Sequence, residues 1–206
     1  MTFKTEQETF WAGEFGDDYI QRNRGSSILA SNLNFFSKAL GNAHNLKSCI
    51  EFGANIGMNL QAINLLYPNI DCHAIEINPK AAQQLSQVIP SNNIFQESIL
   101  NFNVEKTWDL VIVKGVLIHI NPEELPLVYS KITESSSRYL LLAEYYNPSP
   151  IAVTYRGHSD RLFKRDFAGE LMDRHPEFKL IDYGFVYRRD PSFPQDDITW
   201  FLMEKS

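Results

Sequence analysis

The sequence lacks the features of a membrane-inserted or secreted protein. The 206-residue chain has no run of about 18 consecutive apolar residues, the length that a membrane span needs. Its first residues do not form the apolar segment of a secretion signal. With a net charge of -6 and no basic cluster along a predicted face, the chain is poorly suited to neutralising nucleic-acid phosphates. We therefore expect a cytoplasmic protein that acts on a small molecule, without membrane insertion and without nucleic acid as a partner.

Cysteine is also scarce. The only two cysteines, Cys49 and Cys72, lie in apolar runs, where a buried thiol is more common than a disulfide or a metal ligand in a reducing compartment. We therefore predict no metal site and assign cysteine no chemical role. The sequence has no internal repeat, low-complexity tract or evident linker. Its length predicts a single domain over residues 1–206, with an N-terminal cap and helix over 1–45 and a core over 46–206.

Short apolar runs alternate with longer stretches of helical spacing through most of the chain. This alternation is typical of strands and crossover helices in a parallel sheet. Two further runs, 179–186 and 198–204, flank a loop and predict an antiparallel hairpin. The prediction is an α/β fold with a Rossmann-like seven-stranded, mostly parallel sheet, an antiparallel C-terminal hairpin and an N-terminal aromatic and helical cap. The parallel strands are predicted at 48–52, 72–77, 93–96, 110–113 and 139–143, with helices at 58–66 and 81–88 and a third opening at Pro122.

The first strand leads into a turn suited to a nucleotide. Residues 48–57 read SCIEFGANIG, so that Glu51 is followed by Gly53 and Gly57. Glycine permits both a tight reversal into a helix and a close approach of the backbone to a ligand, and we expect a side chain at position 53 to enter that ligand. A dinucleotide fingerprint would need glycine at 53, 55 and 58. The chain has Asn55 and Met58 instead, which disfavours a nicotinamide oxidoreductase.

This acid-x-Gly-x-x-x-Gly turn resembles motif I of the class I S-adenosylmethionine-dependent methyltransferases. Residues 108–120, WDLVIVKGVLIHI, resemble the strand and loop that lie beneath the methionine moiety in that family. The resemblance implies S-adenosyl-L-methionine as the cofactor and cofactor-binding roles for Gly53, Asn55 and Gly57. It also implies that the Glu51 carboxylate lies near the methionine amino group or pins the turn.

Residues after the next strands supply further candidate cofactor contacts. Glu76 and Ile77 end the second predicted strand, where an acid can accept both hydroxyl protons of a ribose; a solvated glutamate at a strand end is the alternative. The resemblance implies that Glu97 and Ser98 lie along the adenine, although loop polar residues without a ligand role would give the same pattern. It implies that Lys114 lines the methionine pocket through its backbone.

An aromatic block precedes the core. Residues 10–23, FWAGEFGDDYIQRN, suggest a cap that excludes water and tolerates a sulfonium cation, while an amphipathic packing segment is the alternative. Arg22 is a candidate partner for the methionine carboxylate, with Tyr19 on the same face of a helix. Together with residues 114–122, KGVLIHINP, this block resembles the methylases associated with pseudaminic acid biosynthesis.

The acceptor site is predicted in the loops at 144–148 and 155–161. Tyr145, Tyr155 and Arg156 are the candidate acceptor contacts, because arginine beside aromatic residues suits an anionic or hydroxylated ligand; a solvated polar loop is the alternative. If the acceptor is a hydroxyl of an acidic sugar, as the resemblance implies, Arg156 would bind its carboxylate and His119 or His158 would remove the proton. A hydrogen bond that locks its own loop is the alternative for His119.

Three functions remain open at this point. The first is methyl transfer from S-adenosyl-L-methionine to a small molecule, possibly a nonulosonic acid in surface-glycan and polysaccharide biosynthesis. The second is a non-catalytic S-adenosylmethionine-binding partner in a biosynthetic complex. The third, a nicotinamide oxidoreductase, is disfavoured by the missing glycines.

Overall fold

The computed structural model of the chain describes residues 3–158 and 160–206. The strands are β1 (Ser48–Phe52), β2 (Asp71–Ile75), β3 (Ile94–Phe95), β4 (Trp108–Lys114), β5 (Ser136–Glu144), β6 (Ile151–Ala152), β7 (Phe163–Lys164), β8 (Phe178–Val186) and β9 (Ile198–Lys205). The α-helices are α1 (Glu6–Ala12), α2 (Glu14–Ile20), α3 (Ser26–Ala39), α4 (Met58–Leu66), α5 (Pro79–Leu85), α6 (Leu125–Ser135) and α7 (Phe167–Arg174).

Seven of the strands form one sheet in the order β3-β2-β1-β4-β5-β9-β8. The first five of these strands are parallel, whereas β9 lies antiparallel between β5 and β8. The predicted Rossmann-like sheet and its antiparallel C-terminal pair are therefore confirmed. The strand order reverses between β1 and β4, and open α/β folds bind ligands beyond the carboxyl ends of the strands at such a reversal.

The centre of the sheet is buried on both faces, as a parallel sheet covered by helices requires. Strand β4 shows this directly, because residues 110–113 are fully buried and alternate between two separate apolar cores. One core includes Phe36 of α3 and Ile63 of α4, and the other includes Val128 of α6 and Leu171 of α7. No helix within residues 3–158 and 160–206 is long and apolar enough to cross a membrane.

Several predicted bounds differ from the observed ones. Strand β2 ends at Ile75 because the carboxylate of Glu76 accepts the backbone amides of residues 55 and 78 where the chain turns. Helix α5 ends at Leu85, and Val88 packs on the core from the turn that follows. Pro122 begins a short 3-10 turn, and α6 starts only at Leu125. The β6–β7 hairpin was not predicted, since two residues in each strand show no period, and neither was α7, although its eight residues form an amphipathic helix capped by Asp166.

Local capping explains how the N-terminal helices form. Glu8 and Thr5 make a reciprocal capping box, in which the Thr5 hydroxyl accepts from the Glu8 amide at 3.2 Å and the Glu8 carboxylate accepts from the Thr5 amide at 2.8 Å. Gly13 separates α1 from α2. Both helices lie above the carboxyl edge of the sheet, where α2 contacts α5. They form the cap, which we define as residues 5–20.

Candidate active site

A cavity of about 740 Å³ lies at the carboxyl edge of the sheet, beside β1, β2, β4 and β5. Cavities of this size commonly hold drug-sized ligands and cofactors. Its walls come from distant parts of the chain, because Tyr19 of the cap and Asp196 of the β8–β9 loop both line it. The sequence analysis did not identify Asp196, whose loop shows no periodicity and whose neighbours in space are far away in sequence.

The turn after β1 is built on left-handed backbone. Gly53, Asn55 and Gly57 have φ angles of 74°, 50° and 83°, a region that favours glycine and tolerates asparagine. Gly53 and Asn55 line the cavity, whereas Gly57 is not among the lining residues. A Cβ at Gly57 would lie 2.6 Å from Leu85 Cδ1, so Gly57 shapes the turn from behind by letting it pack on α5.

Gly53 also differs from the expectation. A Cβ there would lie 2.7 Å from Cγ2 of Val116, so a side chain at position 53 points at Val116 and not directly into the cavity. Val116 itself lines the cavity. The two loops after β1 and β4 therefore approach each other closely, and Gly53 permits this contact.

Glu76 lies beside the turn, on the cavity wall. Its carboxylate accepts hydrogen bonds from the backbone amides of Asn55 at 2.6 Å and Asn78 at 2.7 Å. Burial raises its pKa, and these backbone amides oppose that rise. Ile77 lines the cavity next to it. The residues present suit a ligand with neighbouring hydroxyl groups, since a fixed carboxylate accepts two such donors.

Glu97 and Ser98 line the same end of the cavity. Ser98 is buried, and its hydroxyl accepts from the backbone amide of Leu100 at 3.1 Å. The Ser98 side chain is thus engaged in its own turn, and Glu97 is the more accessible of the pair.

Glu51 lies beneath the cavity floor. It is only 1% exposed and is not among the lining residues. Its Oε1 accepts from Asn59 Nδ2 at 2.5 Å, and Asn59 does line the cavity. Burial raises the pKa of Glu51 to about 8, so the carboxyl is largely protonated at neutral pH. The geometry brings Glu51 to the site through Asn59.

Lys114 ends β4 and lines the cavity. Its Nζ lies 5.5 Å from the centre of the Phe35 ring. Burial lowers its pKa, whereas Glu51, Asp196 and Glu144 act to raise it. The ammonium group of Lys114 therefore lies beside Phe35, under the influence of three carboxyl groups.

An aromatic wall borders the cavity on the cap side: Trp11, Tyr19 and Tyr155 line the cavity, and Phe15 packs on them from outside the lining. The Trp11 ring lies 5.1 Å from Tyr19 and 4.6 Å from His119, and Phe15 lies 5.9 Å from Tyr155. Tyr19 is on α2, whose last residue is Ile20, so Arg22 follows the helix in a turn. Tyr19 and Arg22 both line the cavity, as their predicted proximity requires.

The two candidate histidines occupy different environments. His119 is 8% exposed, lines the cavity and hydrogen-bonds through Nδ1 to the Arg161 carbonyl oxygen at 2.6 Å. Burial lowers the pKa of His119 to about 4, so the ring is neutral and Nδ1 carries the donated proton. His158 is exposed, packs on Phe10 at 5.3 Å and is not among the cavity-lining residues. The structure therefore brings only His119 to the site.

The predicted acceptor contacts Tyr145, Tyr155 and Arg156 all line the cavity. The Arg156 guanidinium lies 5.6 Å from the centre of the Tyr155 ring, and Tyr155 lies 5.3 Å from His119. Burial, and secondarily Asp196, raises the pKa of Tyr145. Ser159, which belongs to the predicted acceptor loop, lies outside the described residues.

Glu144 organises the loop that carries His119, although the sequence analysis gave it no role. Its Oε1 accepts from the backbone amides of Val116 and Leu117, each at 2.9 Å. Oε2 accepts from the Ile118 amide at 3.5 Å. Burial raises the pKa of Glu144 to about 8 against the effect of these donors. An acid at the end of an apolar strand is the only signal of this clamp in the sequence.

The sequence matches no protein-family model and no curated protein sequence. Solved structures are nevertheless similar in fold. Magnesium protoporphyrin IX methyltransferase from Synechocystis, with bound S-adenosylmethionine, has a TM-score of 0.70 at 13% identity, covering 100% of both chains. The Burkholderia thailandensis 1,6-didemethyltoxoflavin N1-methyltransferase, with its substrate and S-adenosylhomocysteine, has a TM-score of 0.73 at 14% identity, covering 100% of this chain and 92% of that one. A plantazolicin methyltransferase has a TM-score of 0.66 at 12% identity, covering 97% and 94%. The chain therefore has the Rossmann-like fold of these class I S-adenosylmethionine-dependent methyltransferases.

Proposed function

We propose that this chain is an S-adenosylmethionine-dependent methyltransferase acting on a small molecule. The observation that carries the proposal is the cavity at the carboxyl edge of the sheet, where the Gly53 turn, Glu76 and the aromatic wall meet. All three of the solved structures compared above contain S-adenosylmethionine or S-adenosylhomocysteine. When bound, this cofactor would supply a methyl group from a sulfonium: the acceptor's nucleophile bonds to the methyl carbon as the carbon–sulfur bond breaks and S-adenosylhomocysteine leaves.

The residues on the wall fit that cofactor. The fixed carboxylate of Glu76 accepts the two ribose hydroxyls, and the backbone of the left-handed turn at Gly53 and Asn55 allows close approach. Glu97 and Ser98, with Ile77, border the adenine end.

At the methionine end of the cavity, Arg22 is the partner for the carboxylate. Asn59, held by Glu51, faces the amino group from the floor. Lys114 and Tyr19 complete this part of the wall. Gly57 contributes through the shape of the turn and makes no ligand contact of its own.

The aromatic wall excludes water from the sulfonium. Trp11, Phe15, Tyr19 and Tyr155 are packed against one another, and aromatic faces tolerate a cation. Alignment of the nucleophile and removal of water are the main demands of an in-line displacement.

His119 is the candidate proton acceptor. Its Nδ1–H donates to the Arg161 carbonyl, so the Nε2 lone pair is available, and Nε2 makes no hydrogen bond with the residues that the structure describes. A ring with a pKa near 4 is neutral at pH 7, which leaves Nε2 able to accept a proton, but the lowered pKa also makes it a weaker base than an ordinary imidazole. His158 lies outside the cavity wall, so we assign it no role in proton transfer.

For the acceptor we propose an acidic sugar of the nonulosonic acid class, methylated in the cytoplasm during surface-glycan biosynthesis. Arg156 supports this, since its guanidinium is exposed at the cavity wall and suits a carboxylate. Tyr145 and Tyr155 supply hydroxyl groups for the sugar ring.

Two measurements test the proposal. Calorimetric titration of the protein with S-adenosylhomocysteine should show saturable binding, and mass spectrometry with S-adenosylmethionine and a panel of acidic sugars should show the mass gain of one methyl group. Absence of S-adenosylhomocysteine binding contradicts the proposed cofactor. Binding without turnover of any acceptor favours the alternative, a non-catalytic cofactor-binding partner protein.

A further inference from the structure

Asn78 connects the cap to the cavity wall. Its backbone N–H donates to Glu76 Oε1 at 2.7 Å, and its Oδ1 accepts from the amides of residues 80 and 81 at the start of α5. Its Nδ2 donates to Asp17 Oδ1 at 3.0 Å and to the Trp11 carbonyl at 3.3 Å. Asn78 is 2% exposed, and both polar atoms of its side chain are engaged. One side chain thus fixes α1, α2 and α5 relative to the carboxylate of Glu76.

Gly16 permits this close approach. A Cβ at Gly16 would lie 1.9 Å from the Trp11 carbonyl oxygen and 2.8 Å from Asn78 Nδ2. No side chain fits there without separating the two cap helices from each other and from Asn78. Glycine inside a helix is otherwise destabilising relative to alanine, so its presence in α2 is explained by this contact.

Asp17 holds Asn78 from outside the cavity. It is not among the lining residues, and its Oδ2 pairs with Lys80 Nζ at 2.6 Å. Lys80 first, and Asn78 second, lower the pKa of Asp17. The Lys80 side chain is 68% exposed, and an ion pair so open to water contributes little. The hydrogen bond between Asp17 and the buried side-chain amide of Asn78 therefore contributes more to holding the cap than the ion pair with Lys80 does.

We propose that Asp17 and Asn78 are positioning residues that couple docking of the cap to the cofactor-binding geometry of Glu76. The inference rests on the proposed function, because it requires Glu76 to contact the cofactor. When the cap is docked, Asp17 holds the side chain of Asn78, and the backbone N–H of Asn78 then orients the Glu76 carboxylate. Coupling of this kind is reciprocal, so cofactor binding must also stabilise the docked cap.

The test compares neighbouring aspartates on one helix. Asp17→Ala removes the bond to Asn78, and we expect it to weaken S-adenosylhomocysteine binding about tenfold in calorimetric titration. Asp18→Ala is the matched control, since Asp18 is exposed and does not line the cavity, and its affinity should equal that of the parent. Asp17→Asn keeps an acceptor for Asn78 while removing the charge that pairs with Lys80, so it should restore most of the affinity.

Hydrogen exchange separates positioning from a general loss of stability. In the parent, S-adenosylhomocysteine should slow amide exchange in the cap, residues 5–20, and in Asp17→Ala this protection should shrink while exchange in β4 stays slow. Asp17→Ser serves as a second variant if Asp17→Ala does not fold, because it introduces no clash and its short side chain withdraws the acceptor from Asn78, so it should also lose affinity.

Three outcomes overturn the inference: parent-like affinity in Asp17→Ala, an equal loss in Asp18→Ala, or no protection of the cap by S-adenosylhomocysteine. Failure of the parent to bind S-adenosylhomocysteine would instead remove the proposed function, so the two failures are distinguishable.

Discussion

Two glycines with similar φ angles allow a measurement of how tightly the turn after β1 packs against the loop after β4. Gly53 and Gly115 have φ angles of 74° and 68°. A Cβ at Gly53 would lie 2.7 Å from Val116 Cγ2 and 3.3 Å from Cγ1, whereas a Cβ at Gly115 would have nothing within 4 Å. Alanine at either position adopts the same strained conformation, but only alanine at 53 also meets a neighbour.

We expect Gly115→Ala to lower the free energy of unfolding by about 1 kcal/mol, the strain of a left-handed residue partly offset by a stiffer unfolded chain. Gly53→Ala should lose about 1–3 kcal/mol more, because overpacking adds to the same strain. Adding Val116→Ala removes both γ-carbons and leaves the Val116 Cβ at 3.7 Å, an ordinary contact. The excess loss should therefore disappear in the double variant.

Urea unfolding followed by circular dichroism measures these differences, and the four variants of the Gly53–Val116 pair form a double-mutant cycle. Calorimetric titration with S-adenosylhomocysteine on the same proteins should show weaker binding for Gly53→Ala, since displaced Val116 side-chain atoms lie on the cavity wall. Equal destabilisation by Gly53→Ala and Gly115→Ala, or additive effects with Val116→Ala, would refute the reasoning.

Other predictions concern buried polar groups. Glu76→Gln should weaken S-adenosylhomocysteine binding about 10–100-fold in calorimetric titration, because a charge-assisted pair of hydrogen bonds is lost; unchanged affinity would exclude the ribose contact. The pKa of Glu51 rises on folding from 4.5 to about 8, so the stability that its uncharged form contributes is complete below pH 4.5 and is lost as the pH rises towards 8. Between those values the unfolding free energy of the parent should fall relative to Glu51→Gln by up to about 1.4 kcal/mol per pH unit, and parallel curves in urea titrations would contradict the assignment. Cys49 and Cys72 should resist a thiol reagent in the native protein and react in urea, since both are buried. The contact with Cys72, and then burial, also raise the pKa of the Cys49 thiol. Fast labelling of the native protein would show that the sheet opens locally.

The predictable part of the fold is the part that repeats a simple pattern. Strand β1 has the bounds expected at 48–52, since an apolar run between Lys47 and Gly53 has clear ends. The continuous burial of β4 at residues 110–113 and the antiparallel pairing of β8 with β9 also follow from short-range patterns. Short elements such as β6 and β7 contain two residues each, too few for any period to appear.

The candidate site was predictable where a residue's place in the chain sets its place in the sheet. Glu76 and Lys114 lie at strand ends, and parallel strands bring such ends to one edge. The direction of a side chain is not set in this way. Glu51 turns beneath the floor, and the clamp by Glu144 depends on a loop that folds back over β5. His158 illustrates the same limit, because residues 155 and 158 pair in a tight turn that keeps it outside the cavity wall.

The position of β9 has a consequence for biosynthesis. This strand is inserted between β5 and β8, and the loop that precedes it brings Asp196 opposite Tyr19. While β9 is still inside the ribosomal exit tunnel, the five parallel strands can pair, but β8 has no neighbour in the sheet and the ligand enclosure lacks the wall that the β8–β9 loop supplies. Retention of a nucleoside by a ribosome-bound polypeptide should therefore require that β9 has left the tunnel.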